Sequence, residues 1–135
     1  MSLPALALLD VVWPRDALTY PPTWKMWACV SPRRLWFLRI NTEGGAPGSV
    51  RLARADHPFL AHDSYLGCHG DLIEVDEETL RSALVAQARA DRRGIIGKIN
   101  PALRPTIREA IAQSSRLSGR QIAAIIAELD AADAA

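Results

Sequence analysis

A chain of 135 residues with 49% apolar and 23% charged residues is the right size for one soluble domain with its own hydrophobic core. Sixteen basic and fifteen acidic residues leave a net charge of +1, so bulk charge does not make it a polyanion binder. Any nucleic-acid surface has to come from an uneven placement of its basic side chains. Two cysteines, Cys29 and Cys68, are too few for a disulfide framework. No apolar run reaches membrane-spanning length. The first residues lack a basic leader, and Pro4 and Asp10 interrupt them, so a reducing cytoplasm is the expected location.

Residues 6–13 are apolar and partly β-branched, which predicts a first strand ended by Pro14. Tyr20, Pro21, Pro22 and Thr23 form a loop able to cover a sheet edge. Residues 24–30 alternate, with Trp24, Met26, Ala28 and Val30 on one face and Lys25, Trp27 and Cys29 on the other. Ser31, Pro32, Arg33 and Arg34 signal a turn into a returning strand over 35–42. A glycine-rich loop follows at 43–48, then a short strand at 49–53. Two more strands, 64–68 and 72–75, are expected to pair with each other across 67–70.

The pattern changes at Asp76, which caps a helix expected to run to about residue 92, with Leu80, Leu84 and Ala88 as its buried stripe. Gly94 suits its end, and Ile95, Ile96, Gly97, Lys98 and Ile99 suit an added strand. Pro105 suits the first turn of a second helix carrying Ile107 and Ile111. Ser118 and Gln121 make a capping box for a third, with Ile122, Ile125, Ile126 and Leu129 on one side and an alanine-rich end, 131–135, expected to fray. Together these elements predict one α+β domain over 1–135. Residues 5–76 form a small, strongly bent barrel of five or six short strands, and about three helices follow over 77–135.

The densest chemistry lies between Asp56 and His69, which holds all three histidines, His57, His62 and His69, beside Asp63, Ser64 and Cys68. Imidazole, carboxylate and thiolate could bind a metal. The spacings match no zinc signature, however, and Pro58 opposes a helix that would align His57 with His62, so a site without metal or other cofactor is preferred. His57 or His62 could carry protons near neutral pH. On a strand, His62 and Ser64 share one face and Asp63 points away. Ser64 would act as a nucleophile only if a base reached it, and the plainer reading is that Asp63 and Ser64 satisfy loop backbone. Lys25, Arg33, Arg34, Arg39, Arg51 and Arg54 interleave with Trp24, Trp27, Trp36, Phe37 and Tyr65. This mixture suits single-stranded RNA, although alternating tryptophans are usually core.

The serial order of these pieces resembles the PemK/MazF family of toxin ribonucleases, in a divergent branch. Asp10, Val11, Val12 and Trp13 resemble the family's opening Gly-Asp-Ile-Val-Trp strand, with Leu9 in place of the glycine. The run from Met26 through Ser31, then Leu38, Arg39, Ile40, Asn41 and Thr42, resembles the next two strands. Asp63, Ser64, Tyr65, Leu66, Gly67 and Cys68, followed by Ile73, Glu74, Val75 and Asp76, resemble the Ser-Tyr-Val strand and its successor. Ile96, Gly97, Lys98 and Ile99 resemble the closing Ile-Gly-x-Leu segment. The resemblance implies an SH3-like barrel and metal-independent endoribonuclease action on single-stranded RNA, within a toxin–antitoxin pair. Thr42 matches the family threonine, and Lys25 stands nearest its arginine, as a point charge without the bidentate fork.

The expected site therefore comprises Lys25, Thr42 and His57 or His62 as catalytic groups, with Arg39, Arg51 and Ser64 on substrate. Candidate partners are single-stranded RNA, an antitoxin protein and a second copy of the chain. The alternative, from a different class, is a catalytically silent SH3-like barrel that binds protein or nucleic acid.

Overall fold

The fold is taken from a computed structural model, which describes residues 3–16, 23–43, 47–90 and 94–134. Positions 20–22 of the expected loop, 44–46 of the glycine loop, and 91–92 of the first expected helix lie outside the described residues.

The architecture is α+β. An antiparallel sheet curls into a half-barrel; one helix precedes its last strand in the chain and two follow it. The strands are β1 (Asp10–Val12), β2 (Arg15–Asp16), β3 (Thr23–Trp24), β4 (Met26–Ser31), β5 (Trp36–Asn41), β6 (Val50–Leu52), β7 (Ser64–Leu66), β8 (Ile73–Glu74) and β9 (Gly97–Lys98). Their order is β6-β7-β5-β4-β1-β9, with β8 also on β5, while β2 and β3 make a separate two-stranded arm. The helices are α1 (Glu77–Arg89), α2 (Arg104–Ala112) and α3 (Gly119–Ala134).

The alternation expected for β4 holds and divides the core in two. Ala28, Val30, Leu38, Ile40, Leu52 and Leu66 face one way and meet Ile107, Ile111, Ile125 and Leu129 from α2 and α3. Trp27, Cys29, Phe37 and Ile73 face the other way and meet Leu80 and Leu84 of α1. Each fully buried leucine contributes about 2 kcal/mol by leaving water. The helices therefore clamp the sheet from both sides, which the period-3.6 stripes in the sequence foreshadow.

Several expectations need correction. The first strand is only Asp10–Val12, because the chain turns at residues 7–10. Asp10 fastens this turn by accepting from the Ala7 N–H at 2.8 Å, and it pairs with Lys98 across β9 at 2.9 Å. Leu9 takes φ +67°. This left-handed backbone costs a leucine about 1 kcal/mol, which burial of its side chain offsets. Strands β7 and β8 do not pair with each other. Both pair with β5, β7 at Ile40 and Asn41 and β8 at Trp36 and Phe37, so residues 67–72 step along one edge of β5. The end of α3 does not fray before residue 134, since Arg104 pairs with Asp133 and Arg108 with Asp130. The capping box forms as expected: Gln121 N–H donates to Ser118 Oγ at 3.1 Å, and Ser118 N–H donates to Gln121 Oε1 at 2.9 Å.

The open side of the half-barrel, between β9 and the β6–β7 loop, is bridged by His57 and Phe59. His57 Nδ1 lies 2.7 Å from the Ala53 carbonyl, and its Nε2 accepts the Asn100 N–H at 3.0 Å. A carbonyl can only accept and a backbone N–H can only donate, so the proton sits on Nδ1. The Phe59 ring lies where a Cβ at Gly97 would stand, so only glycine lets the loop close against β9. No described helix is long and apolar enough to cross a membrane.

Candidate functional site

A pocket of about 220 Å³ opens where the β3–β4 junction, the end of β5 and the β6–β7 loop meet. Its walls are apolar, with Trp13, Trp24, Met26 and Ile40 on one side and Phe59 and Leu60 on the other. Four polar residues belong to its lining: Lys25, Thr42, His62 and Ser64. The sheet explains this convergence. β4 and β5 pair in register from Met26 opposite Ile40, so Lys25 and Asn41 or Thr42 fall at the same end of the hairpin. β7 pairs with the same end of β5 through Ile40 and Asn41, which brings Ser64 and the preceding His62 alongside.

Lys25 is fixed at both ends. Its backbone N–H donates to the Pro14 carbonyl at 3.0 Å, and its Nζ donates to Asn41 Oδ1 at 3.3 Å. Among the described residues no carboxylate pairs with it. Thr42 stands exposed one residue beyond β5.

His62 is exposed, and its Nδ1 lies 2.9 Å from the Asp63 carbonyl. Since that carbonyl accepts, Nδ1 carries the proton, which leaves Nε2 as the nitrogen able to take another. Ser64 Oγ lies 3.4 Å from the same protonated Nδ1 and donates to the His62 carbonyl at 3.2 Å. His62 therefore does not activate Ser64 as a nucleophile in this arrangement; the buried hydroxyl satisfies loop backbone and lines the pocket wall. Asp63 points away, as strand alternation requires. It accepts the Arg54 N–H at 2.8 Å and pairs with Arg51 at 2.5 Å. These contacts, the backbone N–H first, hold its carboxyl below the usual carboxylate range.

Three other expected site residues are not brought to the pocket. His57 is buried with both ring nitrogens engaged in closing the barrel, so of the two histidines only His62 faces the pocket. Arg39 lies on the opposite face of β5, its Nε donating to the fully buried Asp16 at 2.6 Å, where the Trp27 indole N–H also donates at 3.1 Å. Arg51 is exposed on β6 and engaged with Asp63. Among the described residues, no three of His, Cys, Asp or Glu stand together as a metal would need. Cys68 is buried, which pushes its thiol up to about 12, and the same holds for Cys29.

Sequence reasoning missed the walls. Trp13 reads as the end of a strand and Phe59 as part of a histidine-rich run, yet both line the pocket. The basic and aromatic surface resolves differently: Trp27 and Phe37 are core, Trp36 lies under the Arg34 guanidinium at 5.4 Å, and of the set Trp24 and Lys25 line the pocket. No protein-family model matches this chain, and no curated protein matches it.

Proposed function

We propose that the chain is a toxin-like endoribonuclease that cleaves single-stranded RNA without a metal. In this reading it acts in the cytoplasm and is held in check by an antitoxin protein. The observation that carries the proposal is the meeting of Lys25, Thr42 and His62 in one aromatic-walled pocket. Each group has a task in the chemistry. His62 Nε2 takes the proton from a ribose 2′-hydroxyl, whose oxygen attacks the adjacent phosphorus. Lys25 stabilises the charge that builds on the non-bridging oxygens, and Thr42 donates a hydrogen bond to one of them. The bond from phosphorus to the 5′-oxygen breaks, and that oxygen takes up a proton, leaving a 2′,3′-cyclic phosphate and a 5′-hydroxyl. Trp13 and Trp24 offer flat surfaces for an unstacked base. Ser64, on the pocket wall, contacts the substrate rather than attacking it.

A silent binding module is the second reading. It is favoured by the apolar character of the walls and by the removal of Arg39 and Arg51 from the pocket. Induction in bacteria separates the two readings. The ribonuclease reading expects wild type to arrest growth and fragment RNA, and a Lys25→Ala, Thr42→Ala double variant to do neither. Intact RNA after induction of folded wild type would leave the binding module.

A further inference from the structure

Building on the ribonuclease reading, we propose that Asn41 is a positioning residue: it fixes the ammonium of Lys25, a residue of the pocket lining, while leaving its charge for a phosphate. Asn41 Oδ1 accepts from Lys25 Nζ at 3.3 Å. A carboxamide can orient an ammonium as a carboxylate does, yet it carries no charge to cancel it. The same sheet shows the other solution. Arg39, two residues earlier on the strand, is met by a buried carboxylate and is spent on structure.

The amide is itself held in place. Asn41 is half-buried, and its backbone pairs with Tyr65 across β7. Its Nδ2 lies 3.1 Å from where a Cβ at position 67 would stand, while the Gly67 N–H donates to the Arg39 carbonyl at 2.9 Å. The missing side chain at Gly67 thus makes the seat on which the amide rests. An alanine there would press on the amide and so disturb Lys25 at second hand.

Charge and position can be separated by experiment. The salt dependence of binding is measured with a short random-sequence single-stranded DNA pool, which lacks the attacking hydroxyl. The cleavage rate is measured with the matching RNA pool, and thermal melting reports on folding. Replacing the amide by a carboxylate, Asn41→Asp, keeps the shape and neutralises Lys25. The slope of log affinity against log salt should then shrink by about 0.7, the share of one phosphate contact on a single strand, as it should for Lys25→Ala. Asn41→Ala leaves the charge but not its placement, so it should keep the wild-type slope and lose about tenfold in cleavage. Gly67→Ala should follow Asn41→Ala in kind, which keeps the proposal testable if Asn41→Asp does not fold. If Lys25→Ala lowers the slope and folded Asn41→Asp does not, the role given to Asn41 is overturned while the ribonuclease reading stands. Full cleavage by Asn41→Ala and Gly67→Ala would also overturn it. A Lys25→Ala variant with wild-type slope and rate would instead remove the ribonuclease reading beneath it.

Discussion

Arg39 lies on β5 and Lys25 stands just before β4, so the two belong to the two arms of one hairpin, and they meet opposite fates. Arg39 turns to the α1 side of the sheet, where Asp16 and the Trp27 indole close around it. Lys25 comes to the pocket end, where a neutral amide meets it. The first arrangement holds the β2–β3 arm to the sheet, because Asp16 belongs to β2 and Trp27 and Arg39 to β4 and β5. The second leaves a cation beside an aromatic-walled space. A basic residue becomes available to a ligand only where the fold supplies no carboxylate, so counting arginines in the strand half says little about where RNA could bind.

The same division runs through the β6–β7 loop, and the largest expected effect lies there. His62 faces the pocket and His57 closes the barrel. His62→Ala should lower RNA cleavage by about 100-fold or more and leave stability within about 0.5 kcal/mol, as read by cleavage assay and denaturant unfolding. An equal loss of cleavage in both histidine variants, with both fully folded, would erase the distinction.

Asp16→Ala tests the structural cation. It leaves Arg39 and the Trp27 N–H without their acceptor and should destabilise the fold by about 3 kcal/mol, the lower end for a buried pair. A melting temperature unchanged from wild type would show that the arm is held by other means. His57→Ala should cost about 2 kcal/mol through two lost hydrogen bonds, one at each side of the barrel's seam.

Much of this arrangement was legible in the sequence, for identifiable reasons. The period-2 pattern of residues 26–30 reports two-sided burial, so the two core faces were readable from it. The Ser118–Gln121 capping box and the Asp76 cap are local, and both form. That Lys25, Thr42 and one of His57 or His62 would fall at one edge of the sheet was readable from the strand ends, whereas the expected nearness of Arg39 or Arg51 was not met. What could not be read depends on long-range geometry. Nothing in the dipeptide Arg15, Asp16 signals a buried acid, because its partners lie on other strands and its burial comes from their packing. His57 and His62 look alike in sequence, and only the closure against Asn100 separates them. The step from β7 to β8 along β5 was hidden because a glycine-bounded segment reads as a hairpin turn whether or not its flanks pair.

The smallest expected effect concerns acid. Asp63 is held low by the Arg54 N–H and then Arg51, Asp76 by the Thr79 N–H, and Asp130 by Arg108. A carboxyl with a lowered folded value favours the folded state above its unfolded value of about 4, and that contribution fades as pH falls through the lower folded value. Melting temperature should therefore hold steady above about pH 4 and decline below it, with a shallower decline in an Asp63→Asn, Asp76→Asn, Asp130→Asn variant. An identical decline in that variant would assign the acid sensitivity to other groups.

The most direct measurement takes the purified protein, excess chelator and a labelled single-stranded RNA pool, and reads the ends of the products. The account predicts fragments with 2′,3′-cyclic phosphate and 5′-hydroxyl ends from wild type, and almost none from Lys25→Ala or His62→Ala protein of wild-type melting temperature. RNA left uncut by folded wild type, or cut equally well by Lys25→Ala, would contradict it.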